Sequence, residues 1–211
     1  MSNPWLSIPL EDYEGHMQLP HVGQARMLVH ELEELLQTHA PTSVALIGCA
    51  GGNGFEEVAK AGTARVVGLD INSTYIAAAA ARYASRIPVL ELHCADIAGD
   101  TLSMPAVELV YCALVFEYVD VSKALKNIRA LCLPTGLLAA VLQLPKEGAE
   151  IVSPSRFVNL KQLGSILRLV PPDNLREVAE GQGFELISEK LITLESGKHF
   201  CLQLFKSSSA E

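Results

Sequence analysis

The segment Ile47-Gly48-Cys49-Ala50-Gly51-Gly52-Asn53-Gly54-Phe55 concentrates glycine immediately after a short apolar run. Glycine accepts positive φ and lets backbone approach a ligand closely, so such a loop can cradle a small molecule with its amides. Asp70 stands 22 residues after Gly48, at the end of Val66-Val67-Gly68-Leu69. A carboxylate there can accept two charge-assisted hydrogen bonds from the vicinal hydroxyls of a ribose. Asn72, Ser73 and Thr74 follow and can cap the next helix unaided, which leaves Asp70 free for that task. Asp96 follows a third apolar segment. Glu117 follows the almost wholly apolar run Leu109 to Phe116, where desolvation would raise its pKa toward general-base use.

These residues need elements that hold them at one edge. Val44–Ile47, Arg65–Asp70, Val89–His93, Val107–Leu114 and Leu137–Leu144 read as strands. Helical spacing appears over Val22–Thr38, Gly54–Ala61, Asn72–Ala84 and Val121–Leu131. Strands alternating with helices imply a parallel sheet covered on both faces. The last third reads as a helix over Asn174–Gln182 and two strands, Phe184–Thr193 and Lys198–Phe205, joined as a hairpin through Ser196-Gly197. The first 20 residues, with prolines at 4, 9 and 20, read as irregular. Residues 145 to 171 show no clean period.

The composition fits one domain. The chain has 211 residues, enough for a sizeable core without disulfides or metals. A net charge of −8 argues against a nucleic-acid or anionic-membrane surface. The N-terminus shows neither a basic start nor an apolar run, and no stretch reaches the length of a membrane span, so a cytoplasmic location is expected. The cysteines at 49, 94, 112, 132 and 201 are odd in number and form no CxxC pair, which suits free, mostly buried thiols. The histidines at 16, 21, 30 and 39 have no metal-site spacing, and no metal is expected.

The loop lacks the last glycine of G-x-G-x-x-G and has no Gly-Lys-Ser/Thr. A G-x-G-x-G spacing fits Gly48, Ala50 and Gly52 with one conservative change. Here the sequence resembles the class I, Rossmann-like S-adenosylmethionine-dependent methyltransferases, over about residues 43 to 144 and again in the terminal hairpin. The resemblance implies a doubly wound, seven-stranded, mostly parallel sheet of order 3-2-1-4-5-7-6 with an antiparallel terminal hairpin strand and helices on both faces. It implies S-adenosylmethionine as cofactor and S-adenosylhomocysteine as product. Gly48, Cys49, Ala50, Gly51, Gly52 and Asn53 match the loop around the cofactor, and Asp70 and Ile71 the ribose position. Asp96 and Ile97 match the adenine position, and Ala113 and Leu114 the fourth motif. Glu117 and Tyr118 would then face the transferable methyl. Leu46 departs from the pattern, which usually has an acid there.

The remaining pieces must close the site and choose the acceptor. Residues 1–40 are expected to form an N-terminal lid and helix, with Tyr13 at the cofactor, His16 as a catalytic candidate beside Glu117, and Met17 nearby. Residues 145–171 are expected to be a substrate-side insertion. Within 151 to 172 lie Arg156, Lys161 and Arg168 and no acid, so Arg156 and Arg168 are candidates to receive an anionic acceptor. The expectation is therefore a single-domain enzyme, monomer or homodimer, that methylates a small molecule by in-line displacement in a lidded site, with neither nucleic acid nor membrane as partner. A nicotinamide-dependent oxidoreductase and a non-catalytic S-adenosylmethionine-binding protein are the alternatives.

Overall fold

Val44 to Ile47 and Leu109 to Cys112 are buried throughout, a pattern strands adopt only inside a sheet covered on both faces. In the computed structural model, which describes residues 3–146 and 152–208, they form two adjacent strands at the centre of a seven-stranded sheet. The strands are β1 (Ser43–Ile47), β2 (Arg65–Asp70), β3 (Val89–Cys94), β4 (Val107–Ala113), β5 (Cys132–Gln143), β6 (Phe184–Thr193) and β7 (His199–Ser207). Their order is β3-β2-β1-β4-β5-β7-β6, and only the pairings of β7 are antiparallel. This is the order the family resemblance implied.

The helices are α1 (Leu10–Met17), α2 (Gln24–His39), α3 (Phe55–Lys60), α4 (Ser73–Tyr83), α5 (Val121–Leu131) and α6 (Pro172–Gly181). α2, α3 and α4 place Leu32, Leu35, Phe55, Val58 and Ala79 on one face of the sheet. α5 and α6 place Leu125, Ile128, Leu175 and Ala179 on the other. The chain winds outward from β1 toward β3 and from β4 toward β6, so the strand order reverses between β1 and β4. Ligands of open αβ sheets bind at that reversal, outside the carboxyl ends of the strands. Because β7 runs antiparallel, its first residues arrive at this same edge: Gln143 pairs with Phe200, and Leu144 N–H donates to the His199 carbonyl at 2.9 Å.

Two segments depart from the sequence reading. The first 20 residues are not irregular: Pro4–Leu6 is a 3₁₀ turn and α1 follows it. An eight-residue helix containing Gly15 is too short to announce itself by periodicity, and its stability comes from what it packs on. Residues Val158–Ser165 likewise form a 3₁₀ helix. These two pieces pack on each other through Ile8, Leu160 and Leu163, ringed by Trp5, Tyr13, Tyr118, Val152 and Phe157. Strand β5 also begins five residues before the expected Leu137, after an irregularity in its pairing with β4. Part of the expected insertion, residues 147–151, lies outside the described residues. Cys49, Cys112, Cys132 and Cys201 are buried and Cys94 is exposed, all of them free thiols.

Candidate active site

A cavity of about 510 Å³ opens at the carboxyl edge where the strand order reverses. Its floor is the glycine loop. Gly48 has φ +69°, and a Cβ there would sit 2.7 Å from Val115 Cγ2, so both conformation and space demand glycine. Ala50 stands at the middle glycine position of the motif with φ +45°, a conformation that costs an L-residue roughly 1–2 kcal/mol. Asp70 holds it there: its Oδ2 accepts from Ala50 N at 2.9 Å and its Oδ1 from Asn72 N at 2.8 Å. Burial raises the Asp70 pKa, and these backbone hydrogen bonds oppose the rise. A carboxylate has about four acceptor positions, so Asp70 keeps acceptor capacity on the cavity side.

Gly48, Cys49, Ala50, Asn53, Asp70, Ile71, Asp96, Ile97, Ala113, Leu114 and Tyr13 all line the cavity. Two glycines of the expected set do not. Gly51 is packed under Leu10 and the Arg82–Glu14 ion pair, and Gly52 under the Tyr83 ring. Their glycine requirement is therefore structural: Gly52 has φ +116°, and a Cβ would meet Tyr83 Cε2 at 2.3 Å. Gly52→Ala is expected to destabilise the protein by about 3 kcal/mol, lowering the thermal midpoint by roughly 6–12 °C, as checked by calorimetric unfolding.

The N-terminal segment closes one side. Tyr13 Oη accepts from Asn53 Nδ2 at 2.9 Å, Asn72 Nδ2 donates to the Trp5 carbonyl at 2.8 Å, and Tyr75 Oη donates to the Ile8 carbonyl at 2.9 Å. Trp5 packs edge-on against both Tyr13 and Tyr118, at 5.6 and 5.2 Å between ring centroids. Burial pushes the Tyr13 pKa up to about 12, so this phenol stays protonated at neutral pH and acts as a wall and hydrogen-bonding group.

Opposite the glycine loop the wall turns polar. Glu117 sits in the 3₁₀ turn Phe116–Tyr118 after β4 and is only 2% exposed. Its Oε1 accepts from Gln143 N at 2.7 Å, and its buried Oε2 has no hydrogen-bond partner among the described residues. Burial pushes its pKa up to about 7, against the lowering effect of the backbone hydrogen bonds. His16, from α1, is buried on the same cavity with Nδ1 3.0 Å from Ser155 Oγ, and burial, with Lys198 second, lowers its pKa. Tyr118 and Met17 also line the cavity. Leu46 is a buried lining residue, so the position that usually carries an acid is apolar here.

Arg156 and Arg168 do not reach the cavity. Arg156 lies over the Phe157 ring at 5.0 Å, and Arg168 spends its guanidinium on the Leu167 and Ser165 carbonyls at 2.8 and 3.1 Å. Their exposure has a plain cause: the segment's apolar residues turn inward to the lid contact, leaving the cations outside. Among the described residues two lysines do line the cavity, Lys123 and Lys198, the latter 8% exposed, and Gln24 and Gln143 line it as well. Gln24 Nε2 donates to Gln143 Oε1 at 3.3 Å. Sequence reading missed Lys198 because it stood as the first residue of an expected strand, Lys198–Phe205. The antiparallel sense of β7 was the available signal, since it places the start of that strand at the site edge.

Fold and cavity define a class of protein: a Rossmann-like domain with an antiparallel terminal hairpin and a cavity at the carboxyl edge of its sheet. Residues 46–140 match the family described as "Methyltransferase domain". That segment is a methyltransferase domain, and S-adenosylmethionine is the cofactor that suits it. No curated protein matches it in sequence. Among solved structures it is similar to the N-methyltransferase NodS from Bradyrhizobium japonicum WM9 in complex with S-adenosyl-L-homocysteine. The TM-score is 0.70 at 18% identity, over 98% of this chain and 99% of that one. It is also similar to magnesium protoporphyrin IX methyltransferase from Synechocystis PCC 6803 with bound S-adenosylhomocysteine (TM-score 0.73, 15% identity, 97% and 96% coverage). The [4+2]-cyclase SpnF is a further likeness, at TM-score 0.69 and 14% identity over 89% of this chain and 82% of that one. At these identities the likeness establishes the fold, and the domain match carries the class. Among the described residues, no helix is long and apolar enough to cross a membrane.

Proposed function

We propose that this chain methylates a small molecule whose nucleophile carries a proton, and that Glu117 removes it. The observation carrying this reading is the Glu117 carboxylate, buried on the cavity wall with one oxygen tied to Gln143 N and the other unpartnered among the described residues. A buried polar atom without a partner is costly and uncommon, and an acceptor N–H or O–H would satisfy it. A base with a pKa near the working pH is also the most effective one. His16 is the alternative base on the same wall.

The cofactor side supports the same reading. Gly48, Cys49 and Ala50 would pass along the cofactor as backbone, Asp70 and Ile71 would take the ribose, and Asp96 and Ile97 the adenine. When bound, S-adenosylmethionine supplies an electrophilic methyl whose sulfur–carbon bond breaks as the new bond to the acceptor forms, the electron pair staying on sulfur. The chain's own part is to align the acceptor, exclude water under Trp5 and Tyr13, and hold the released proton on Glu117. In this reading residues 1–40 act as lid, the described part of 145–171 completes the acceptor side, and the chain works as a cytoplasmic monomer or homodimer.

Calorimetric titration with S-adenosylhomocysteine and, separately, NADH tests the cofactor. Binding of the first and not the second is expected, and the reverse would overturn the reading. Incubation with methyl-labelled S-adenosylmethionine and a small-molecule library, read by mass spectrometry, tests the chemistry. Label on a nitrogen or oxygen atom is expected. Cofactor binding with no labelled product would favour a non-catalytic binder.

A further inference from the structure

Among the described residues, nothing positive answers the carboxylate on the cavity wall. Glu117 is 2% exposed, its Oε2 has no hydrogen-bond partner there, and no cation pairs with it. Burying a charge is costly unless it is paired, so a group of opposite sign is what this position calls for. The lysines on the same cavity have other partners. Lys123 reaches Asp120 at 3.8 Å, and Lys198 has an interaction of its own within the chain. Burial lowers the His16 pKa, so that imidazole adds no full positive charge at neutral pH.

Aromatic rings stand beside the carboxylate. Tyr118 follows Glu117 directly in the same 3₁₀ turn, and both line the cavity. Trp5 meets Tyr118 with 5.2 Å between ring centroids and 83° between planes, and it meets Tyr13 at 5.6 Å and 78°. Edge contacts of this kind do not stack the rings face to face, so π-faces are left for a ligand, and all three rings line the cavity. An aromatic face is electronegative and attracts a cation within about 6 Å of its centre. The chain uses that attraction elsewhere, with Arg86 over Tyr83, Arg129 over Phe184 and Arg156 over Phe157. Among the described residues, no cation of the chain lies over Trp5, Tyr13 or Tyr118.

These groups choose between ligand chemistries. A metal ion needs several ligands, and the one such cluster among the described residues, His30, Glu31 and Glu34, does not line the cavity. The walls around the rings carry Ala25, Leu28, Val29, Leu160 and Leu163, which suit a hydrocarbon body. An ammonium on such a body satisfies the carboxylate, the rings and the apolar walls together. A phenol brings no positive charge, and the phenolate it forms on losing its proton would face electronegative rings.

We propose that the acceptor is an apolar amine, which enters as its ammonium between Glu117 and the Trp5–Tyr118 ring pair. This rests on the reading of Glu117 as the base on the acceptor wall. The ammonium passes a proton to the Glu117 carboxylate, which frees the nitrogen lone pair and removes a positive charge from beside the sulfonium. That lone pair forms the bond to the methyl carbon, while the sulfur–carbon electron pair stays on sulfur. The products are an N-methylammonium, S-adenosylhomocysteine with an uncharged sulfur, and protonated Glu117, so net charge is conserved. Glu117 returns its proton to water as product leaves.

The test uses the full chain saturated with S-adenosylhomocysteine at pH 7.5, where an alkylamine is almost fully protonated. Phenethylamine and hexylamine are titrated by calorimetry, each against the alcohol of the same shape, 2-phenylethanol or hexan-1-ol, and against 4-ethylphenol. At least one amine is expected to bind tenfold or more tightly than its alcohol. Glu117→Gln lowers that preference below about threefold. Trp5→Leu lowers it at least twofold, and Trp5→Phe, which keeps a π-face, lowers it less than twofold. Because each amine is read against its own alcohol, any loosening of the N-terminal segment cancels. If neither amine shows the tenfold preference, if Glu117→Gln leaves it above threefold, if Trp5→Leu changes it less than twofold, or if 4-ethylphenol binds more tightly than both amines, the amine assignment falls. Loss of S-adenosylhomocysteine binding by the parent chain would instead overturn the cofactor reading, and methyl transfer that survives Glu117→Gln would overturn the base, so the failures are distinguishable.

Discussion

Glu117→Gln is expected to lower kcat/KM for methyl transfer by roughly two to four orders of magnitude, the usual contribution of a positioned general base, with S-adenosylhomocysteine affinity unchanged. The substitution is nearly isosteric, and the amide oxygen can still accept from Gln143 N, now 2.7 Å from the carboxylate. In the parent enzyme, activity should rise with pH through about 7, because the base must be ionised. The variant should lose that limb. Turnover within twofold of the parent would rule out the base role and shift attention to His16.

The same residue makes a stability prediction of definite sign. Its carboxyl pKa is about 7 in the folded protein, against an ordinary value of 4.5. A raised folded-state value means that the contribution is fully present below about pH 4.5 and is lost as pH rises through 7. The difference amounts to about 3 kcal/mol. The parent should lose that much stability across this window from Glu117 alone. Glu117→Gln should flatten the profile, with the comparison read from denaturant unfolding at pH 5 and pH 8.

Asp70→Ala is expected to weaken S-adenosylmethionine binding by about a hundredfold and to destabilise the protein. Its carboxylate would hold the ribose, and it also fixes the loop by accepting from Ala50 N and Asn72 N. Hydrogen bonds to a charged group contribute roughly 1.5–3 kcal/mol each, so the substitution removes both ligand contacts and the anchor of a strained Ala50 backbone. Asp70→Asn, which keeps one acceptor oxygen, should fall between. Calorimetry decides: unchanged affinity in Asp70→Ala would overturn the ribose assignment. Because the anchor is intramolecular, the thermal midpoint should drop even without cofactor, which separates its structural role from its ligand role.

The cofactor half was legible in the sequence for a physical reason. A strand buried on both faces, a loop that needs positive φ, and an acid where the next strand ends are each local requirements. Each is written in consecutive residues, as in Val44–Ile47, Gly48–Gly54 and Asp70. The alternation of strands and helices then fixes the sheet, because right-handed crossovers leave few ways to connect parallel strands. Even within the loop, though, the sequence could not say which side each glycine faces. Gly48 lies under the cavity, while Gly51 and Gly52 make room for Glu14, Arg82 and Tyr83.

The acceptor side was set by tertiary structure. α1 has too few residues to be stable alone and takes its place from contacts with Asn53, Arg82 and Phe157, each 40 or more residues from its α1 partner in the chain. Arg156 and Arg168 form a local charge excess, and the fold turns them outward because the apolar residues between them pack on Trp5, Ile8 and Tyr13. Lys198 carries no local signal, and the antiparallel entry of β7 brings it to the site edge. The sequence by itself therefore determined the sheet and the glycine loop, whose demands are conformational and local. Which charged side chains line the cavity was decided by long-range packing, because burial is a property of the assembled fold and not of any stretch of residues.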